Sequence, residues 1–141
     1  MKKYLLDTCV LSEYVKKRPH TKVITWIDSL NENDIFISIL TLGELQKGAI
    51  KQKYINLNRY KKLMIWVNVI EQRFVNRILD IDNEVIKIWA NTCGISESQG
   101  MTLPIIDSLI TSTAQCHNLE IVTRNTDDFS FYPHVLNPWN I

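Results

Sequence analysis

Tyr4-Leu5-Leu6 runs directly into Asp7-Thr8, and this junction restricts the fold more than any other stretch of the chain. Three apolar residues in a row read as a short strand buried on both faces, with a carboxylate at its carboxyl end. A strand covered on both sides belongs to a sheet layered between helices, and open sheets of that kind bind ligands just outside the carboxyl ends of their strands. What Asp7 can do depends on which other side chains arrive at the same edge.

The remaining sequence alternates between the two periods. Thr8 to Tyr14 reads as a short helix, broken over Lys16 to Pro19. Thr21 is a candidate cap for a second helix with Val23, Ile24, Ile27 and Leu30 on its buried stripe. Ile35-Phe36-Ile37-Ser38-Ile39 predicts a second strand ending near a hydroxyl, followed by a helix that contains Glu44. Between Asn56 and Phe74, the residues Leu57, Tyr60, Leu63, Met64, Val67 and Ile70 mark a long amphipathic helix. Arg77 to Ile81 predicts a short third strand, and Asn83 is a candidate cap for a helix whose stripe is Val85, Ile86, Trp89 and Ala90. Pro104 suits the first turn of a helix reaching about Asn118 through Ile106, Leu109, Ile110, Thr113 and Ala114. Glu120 to Thr123 is a fourth strand, Asn125 to Ser130 a polar loop, and Val135-Leu136 a short fifth strand. Strands separated by helices imply crossover connections, hence an α/β sandwich on a mainly parallel sheet of four or five strands.

A chain of 141 residues fits one domain, 1–141, large enough to bury roughly 68 to 70% of its unfolded surface. With 45% hydrophobic and 22% charged residues, the composition excludes a disordered or low-complexity chain. Cys9, Cys93 and Cys116 are odd in number and lack the spacing of a zinc or redox pair, so they read as reduced core thiols. Met1-Lys2-Lys3 begins like a signal peptide, but Asp7 interrupts the apolar run, and Leu63 to Val67 is far too short to span a membrane. The expected location is the cytoplasm. A net charge of +1 gives no global nucleic-acid signature, yet no acid occurs from Leu45 to Ile70. That segment holds Lys47, Lys51, Lys53, Arg59, Lys61 and Lys62, with Lys16, Lys17 and Arg18 as a second basic cluster. Such clusters either solvate a helix face or follow a phosphate backbone.

With strands one, two and four parallel and adjacent, Asp7, Ser38 and the Thr123 to Asp128 loop emerge at one edge, where Glu44 and Asp107 also begin their helices. At helical spacing Asp107 neighbours Leu103, Ile110, Thr111 and Ala114, which turns its carboxylate toward an apolar face. Each acid has a plain structural role open to it: a helix cap for Asp7, a dipole partner for Asp107, a solvated side chain for Glu44, a turn for Asp127 and Asp128. Gathered together they repel, which favours a cation among them. Oxygen ligands without His or Cys point to Mg²⁺ or Mn²⁺ rather than zinc, and His20, His117 and His134 have no partner at ligand spacing. A hard ion on carboxylates suits hydrolysis of a phosphodiester, with two-ion sites spaced about 3.5 to 4 Å. Three of the four Trp residues read as core, and Trp139 as a docking anchor.

Four segments together resemble PIN-domain ribonucleases: Leu5-Leu6-Asp7-Thr8, Ile37 to Leu45 with Glu44, Pro104-Ile105-Ile106-Asp107, and Val122 to Phe129. The likeness is nearest to VapC toxins of type II toxin–antitoxin systems, FitB-like members included, and extends to the Asn137-Pro138-Trp139 tail. The resemblance implies a three-layer α/β/α sandwich, a site for Mg²⁺ or Mn²⁺, and endonucleolytic cleavage of RNA, often transfer or ribosomal RNA. By position it makes Asp7 and Asp107 the principal metal ligands and lets Glu44 complete the pocket. Family members often carry Asp where this chain has Asn125, so either Asn125 or Asp128 completes the site. Ser38, Thr8 or Thr123 are candidates to position a ligand or water. The resemblance further implies a homodimer and an antitoxin whose carboxyl-terminal segment blocks the site. Lys51 to Phe74 and the first two helices are candidate dimer surfaces.

Competing phosphate chemistries lack their signatures. Cys9 stands where a haloacid-dehalogenase phosphatase needs a second Asp, and neither G-x-G-x-x-G nor a P-loop occurs. A receiver domain would show an acidic pair and phosphoacceptor that are missing. The alternative of another class is a PIN-fold binding module without catalysis, acting through a protein or nucleic-acid partner.

Overall fold

The computed structural model describes all 141 residues. In chain order the elements are β1 (Tyr4–Leu6), α1 (Thr8–Ser12), α2 (Thr21–Asp28), β2 (Ile35–Ser38), α3 (Ile39–Ile50) and α4 (Leu57–Arg73). They continue as β3 (Ile78–Leu79), α5 (Asn83–Ser98), α6 (Ile105–His117), β4 (Glu120–Val122) and β5 (Val135–Leu136). The strands form one five-stranded sheet in the order β3-β2-β1-β4-β5, every neighbouring pair parallel.

Side-chain alternation along the strands divides the core into two layers. Leu6, Ile35, Ile37 and Val122 face α1 to α4, where they pack with Val10, Leu11, Val23, Ile27, Leu42, Leu45, Val67 and Phe74. Leu5 and Ile121 face the other way, onto Ile110 and Ala114 of α6, with Phe129 and Tyr132 closing that side. Leu5 and Leu6 are each 1% exposed, and each full burial contributes about 1.5 to 3 kcal/mol. The β1 run is therefore apolar throughout because both faces are covered, and the architecture is the three-layer α/β/α sandwich expected.

From β1 the chain winds out through β2 to β3, then returns to the opposite side of β1 to build β4 and β5. The winding direction reverses between β1 and β4, and crevices outside the carboxyl ends of strands form at such switch points. Leu6 pairs with Val122, so the residues that follow, Asp7 and Thr123, leave the sheet side by side.

Several local expectations are corrected. His20, not Thr21, occupies the cap position of α2, and its side chain makes no capping bond; Glu13 instead fixes the residue by accepting its backbone N–H at 2.7 Å. Asp82, not Asn83, caps α5, accepting the Val85 N–H at 3.0 Å, since a carboxylate also answers the positive end of the helix dipole. Pro104 stands one residue before α6 rather than in its first turn. Ile86 of α5 and Ile106 of α6, expected on helical stripes, are 40% and 42% exposed, although the two helices pack chiefly on each other. Trp139 is half-buried against the α1–α4 core, with the Arg124 guanidinium 5.3 Å from its ring centroid. All three cysteines are free and half-buried.

Candidate functional site

The switch point gives Asp7 a rigid setting. Its backbone N–H donates to the Val122 carbonyl at 2.9 Å, continuing the β1–β4 ladder one residue past the strand. One carboxylate oxygen, Oδ1, accepts the Thr8 N–H at 2.9 Å and so caps α1; the other, Oδ2, accepts the Thr123 hydroxyl at 2.8 Å. Cys9 Sγ lies 3.8 Å from the same oxygen. Burial pushes the Asp7 carboxyl above its ordinary range; these donors pull it back, and the charge of Asp128 pushes it up again, leaving it raised.

Thr123, fully buried, is the joint of this edge. While donating to Asp7 its Oγ1 accepts the Asn125 N–H at 3.0 Å, and Cys9 Sγ is 3.5 Å away. Cys9 Sγ in turn accepts the Arg124 N–H at 3.4 Å. One hydroxyl thus locks the acid after β1 to the loop after β4. Thr8 does the same for α3: its Oγ1 donates to Glu44 Oε1 at 3.0 Å, aiming an otherwise exposed side chain at the edge. Ser38 takes no part, because its buried hydroxyl accepts the Leu40 N–H and caps α3.

Asp107 sits in the first turn of α6, half-buried, as its helical neighbours required. Thr111 donates to its main-chain carbonyl at 2.8 Å, but no hydrogen bond reaches its carboxylate. Burial raises its pKa, and Asp128, Asp7 and Glu44 raise it further, in that order. Asp128 is exposed in the 3-10 turn Thr126–Phe129 and is felt by both Asp7 and Asp107. Asn125 caps that turn, exposed, contributing its backbone to Thr123 while its side chain makes no bond within the protein. The fold therefore places Asp128, Asp7 and Glu44 where their charges act on Asp107, and Asp128 where it also acts on Asp7. Asp127 is exposed and perturbs neither Asp7 nor Asp107.

Sequence reading missed Cys9. Nothing local marks it, because its role comes from Thr123 and Arg124, more than a hundred residues away. No three His, Cys, Asp or Glu side chains converge tightly enough to cage an ion unaided. A Mg²⁺ ion at this edge would be held by one or two carboxylates together with waters and substrate phosphates. The donors are all oxygens, and the half-buried Asp107 carboxylate has like charges around it and no counter-charge. The set fits a hydrated hard cation.

An acidic edge at the switch point of a parallel α/β/α sheet defines a class of fold, and comparison with known proteins identifies it. Residues 4–134 match the PIN domain, and the chain belongs to the PIN-domain family. It is similar to Toxin FitB of Neisseria gonorrhoeae, 34% identical over 145 residues covering 96% of this chain and 98% of that protein. It is also similar to VapC ribonuclease Y4jK of Sinorhizobium fredii, 28% identical with 96% of each chain covered. The crystal structure of FitAcB from Neisseria gonorrhoeae superposes with a TM-score of 0.88 at 32% identity, over 98% of this chain and 99% of that one.

Proposed function

We propose that this protein is a divalent-metal-dependent endoribonuclease, the toxin of a type II toxin–antitoxin pair, cutting phosphodiester bonds in RNA such as transfer or ribosomal RNA. The observation that carries the reading is Asp107: a half-buried carboxylate with no donor, raised by burial and three acids. The relatives named as a toxin and as a ribonuclease support the same reading.

Asp7 and Asp107 are the proposed metal ligands, with Glu44 and Asp128 completing the site directly or through water. A bound Mg²⁺ or Mn²⁺ ion would supply positive charge for the developing phosphoryl charge and make water a stronger nucleophile at neutral pH. The chain's own work is positioning. Thr123 and the Thr8 N–H hold each Asp7 oxygen, leaving its remaining lone pairs for the cation. Thr8 Oγ1 aims Glu44. Burial and the neighbouring acids raise Asp107 above the ordinary carboxylate range, and a cation held there would offset those like charges. Asn125, with its side chain unspent, orients substrate or water. An antitoxin segment with a basic side chain would neutralise the same acids, and a homodimer and a cytoplasmic setting belong to the proposal. No helix is long and apolar enough to cross a membrane, and the exposed Ile65 and Val69 of α4 and Ile86 and Ile95 of α5 supply apolar surface for a second copy.

The test is cleavage of a total RNA pool with Mg²⁺ or Mn²⁺, beside EDTA and Asp107→Asn controls. Discrete fragments requiring both metal and Asp107 are expected. One observation favours a second reading, a catalytically silent binding module: the acids do not by themselves form a three-ligand cage. Intact RNA from folded, partner-free protein would select it.

A further inference from the structure

The two basic clusters of the sequence meet in the fold. A cavity of about 630 Å³ lies between the loop after α1 and the start of α4, lined by Lys17, Asn56, Asn58, Arg59 and Lys62 and by no acid. A second cavity of about 350 Å³ shares Val15, Arg59 and Leu63 with it and reaches Thr8 and Glu44 at the acidic edge. The two make one depression leading from the acids to the cations. We infer that it is a phosphate track, in which Lys17, Arg59 and Lys62 hold backbone phosphates of a single-stranded RNA away from the bond that is cut. The inference rests on the nuclease reading of the acidic edge.

The charges in the track are uncommitted. Lys16, beside it, is neutralised by Glu13 at 2.8 Å, whereas Lys17, Arg59 and Lys62 enter none of the ion pairs of the structure. The 17-residue α4 begins at the cavity. Asn56 spends its side chain on the Arg59 N–H at 3.1 Å, leaving the first N–H groups of the helix without an intrahelical partner. Free N–H groups, a helix dipole and three cations converge where a phosphate is accommodated well. The occupant follows from both ends of the depression. A polyanion satisfies the cations directly and the acids through a shared cation. A peptide carrying a basic residue into the acids would bring no charge for the basic end.

The test is binding of a fluorescein-labelled single-stranded RNA of mixed sequence, read by anisotropy in EDTA over a salt series, for the wild type and for Lys17→Gln/Arg59→Gln/Lys62→Gln. All three side chains are exposed, so the fold tolerates the change. With a slope near −0.7 per phosphate on single strands, the variant should lose affinity by roughly 10- to 100-fold at about 0.15 M salt, and its salt slope should fall by about 2. Lys2→Gln/Lys3→Gln/Lys87→Gln removes equal charge away from the track and should keep at least half the affinity. Equal loss in both variants, no loss in the first, or no measurable RNA binding by the wild type would each overturn the track. Because EDTA removes chemistry from the readout, a chain that fails to cut RNA would refute the nuclease reading while this binding result stood by itself.

Discussion

Glu13 and Asp107 are both acids that the fold draws out of water, and the fold treats them in opposite ways. Glu13 is only 2% exposed, yet its pKa is lowered: burial pushes up, but the Lys16 ammonium at 2.8 Å and the His20 N–H at 2.7 Å more than offset it. Asp107 is less buried, receives no hydrogen bond on its carboxylate, and is raised by burial and by Asp128, Asp7 and Glu44. Burial alone therefore does not mark a site. What differs is compensation: Glu13 is paired within the fold, whereas the Asp107 carboxylate has like charges around it and no partner in the chain.

The largest effect that tests this contrast is on catalysis. Asp107→Asn should cut RNA cleavage on the order of 10³-fold, several kcal/mol of lost transition-state stabilisation, while the cation-free protein becomes no less stable in urea. A variant that loses stability as well would make Asp107 a structural acid like Glu13. Next is the joint: Thr123→Val keeps the shape and removes the donor to Asp7, and Mn²⁺ affinity or cleavage should fall roughly 10- to 100-fold. Glu13→Ala should act in the opposite register, lowering unfolding free energy by about 1 to 3 kcal/mol through the unpaired His20 N–H and the lost ion pair, visible as an earlier urea midpoint.

The smallest effect is the pH dependence of stability, and its sign separates the two acids. Asp7 and Asp107 have folded pKa values above their ordinary 3.8. Between 3.8 and those raised values the folded chain holds more protons than the unfolded one, so the cation-free protein loses stability as pH rises through that window. Glu13, lowered from 4.5, contributes stability present above pH 4.5 and lost as pH falls through its folded value. Urea midpoints over a pH series should show the first slope shrink in Asp107→Asn, with Asp7 contributing the remainder, and the second disappear in Glu13→Gln. Mn²⁺ should reverse the first slope, since it binds the deprotonated acids.

Local pattern carried the reading of β1, of the long α4 and of the inward turn of Asp107, because burial writes directly into period 2 and period 3.6. The meeting of four acids was legible once the sheet was taken as parallel. What the sequence left out depends on which strands are neighbours. Thr123 was one of three hydroxyl candidates, and only the β1–β4 register selects it over Ser38, whose hydroxyl caps a helix. The different surroundings of Asn125 and Asp128 also needed coordinates: the charge of Asp128 reaches Asp7 and Asp107, while the Asn125 N–H donates to Thr123 and its side chain makes no bond within the protein. Ile86 and Ile106 misled because helical periodicity cannot say that a face lacks a covering layer.

The most direct measurement is calorimetric titration of the partner-free protein with Mn²⁺ at neutral pH, with Asp107→Asn alongside. Saturable binding that is lost in the variant is the predicted result. Binding of equal strength in the variant, or none in the folded wild type, would contradict the claim that the acids at this edge are held apart for a cation.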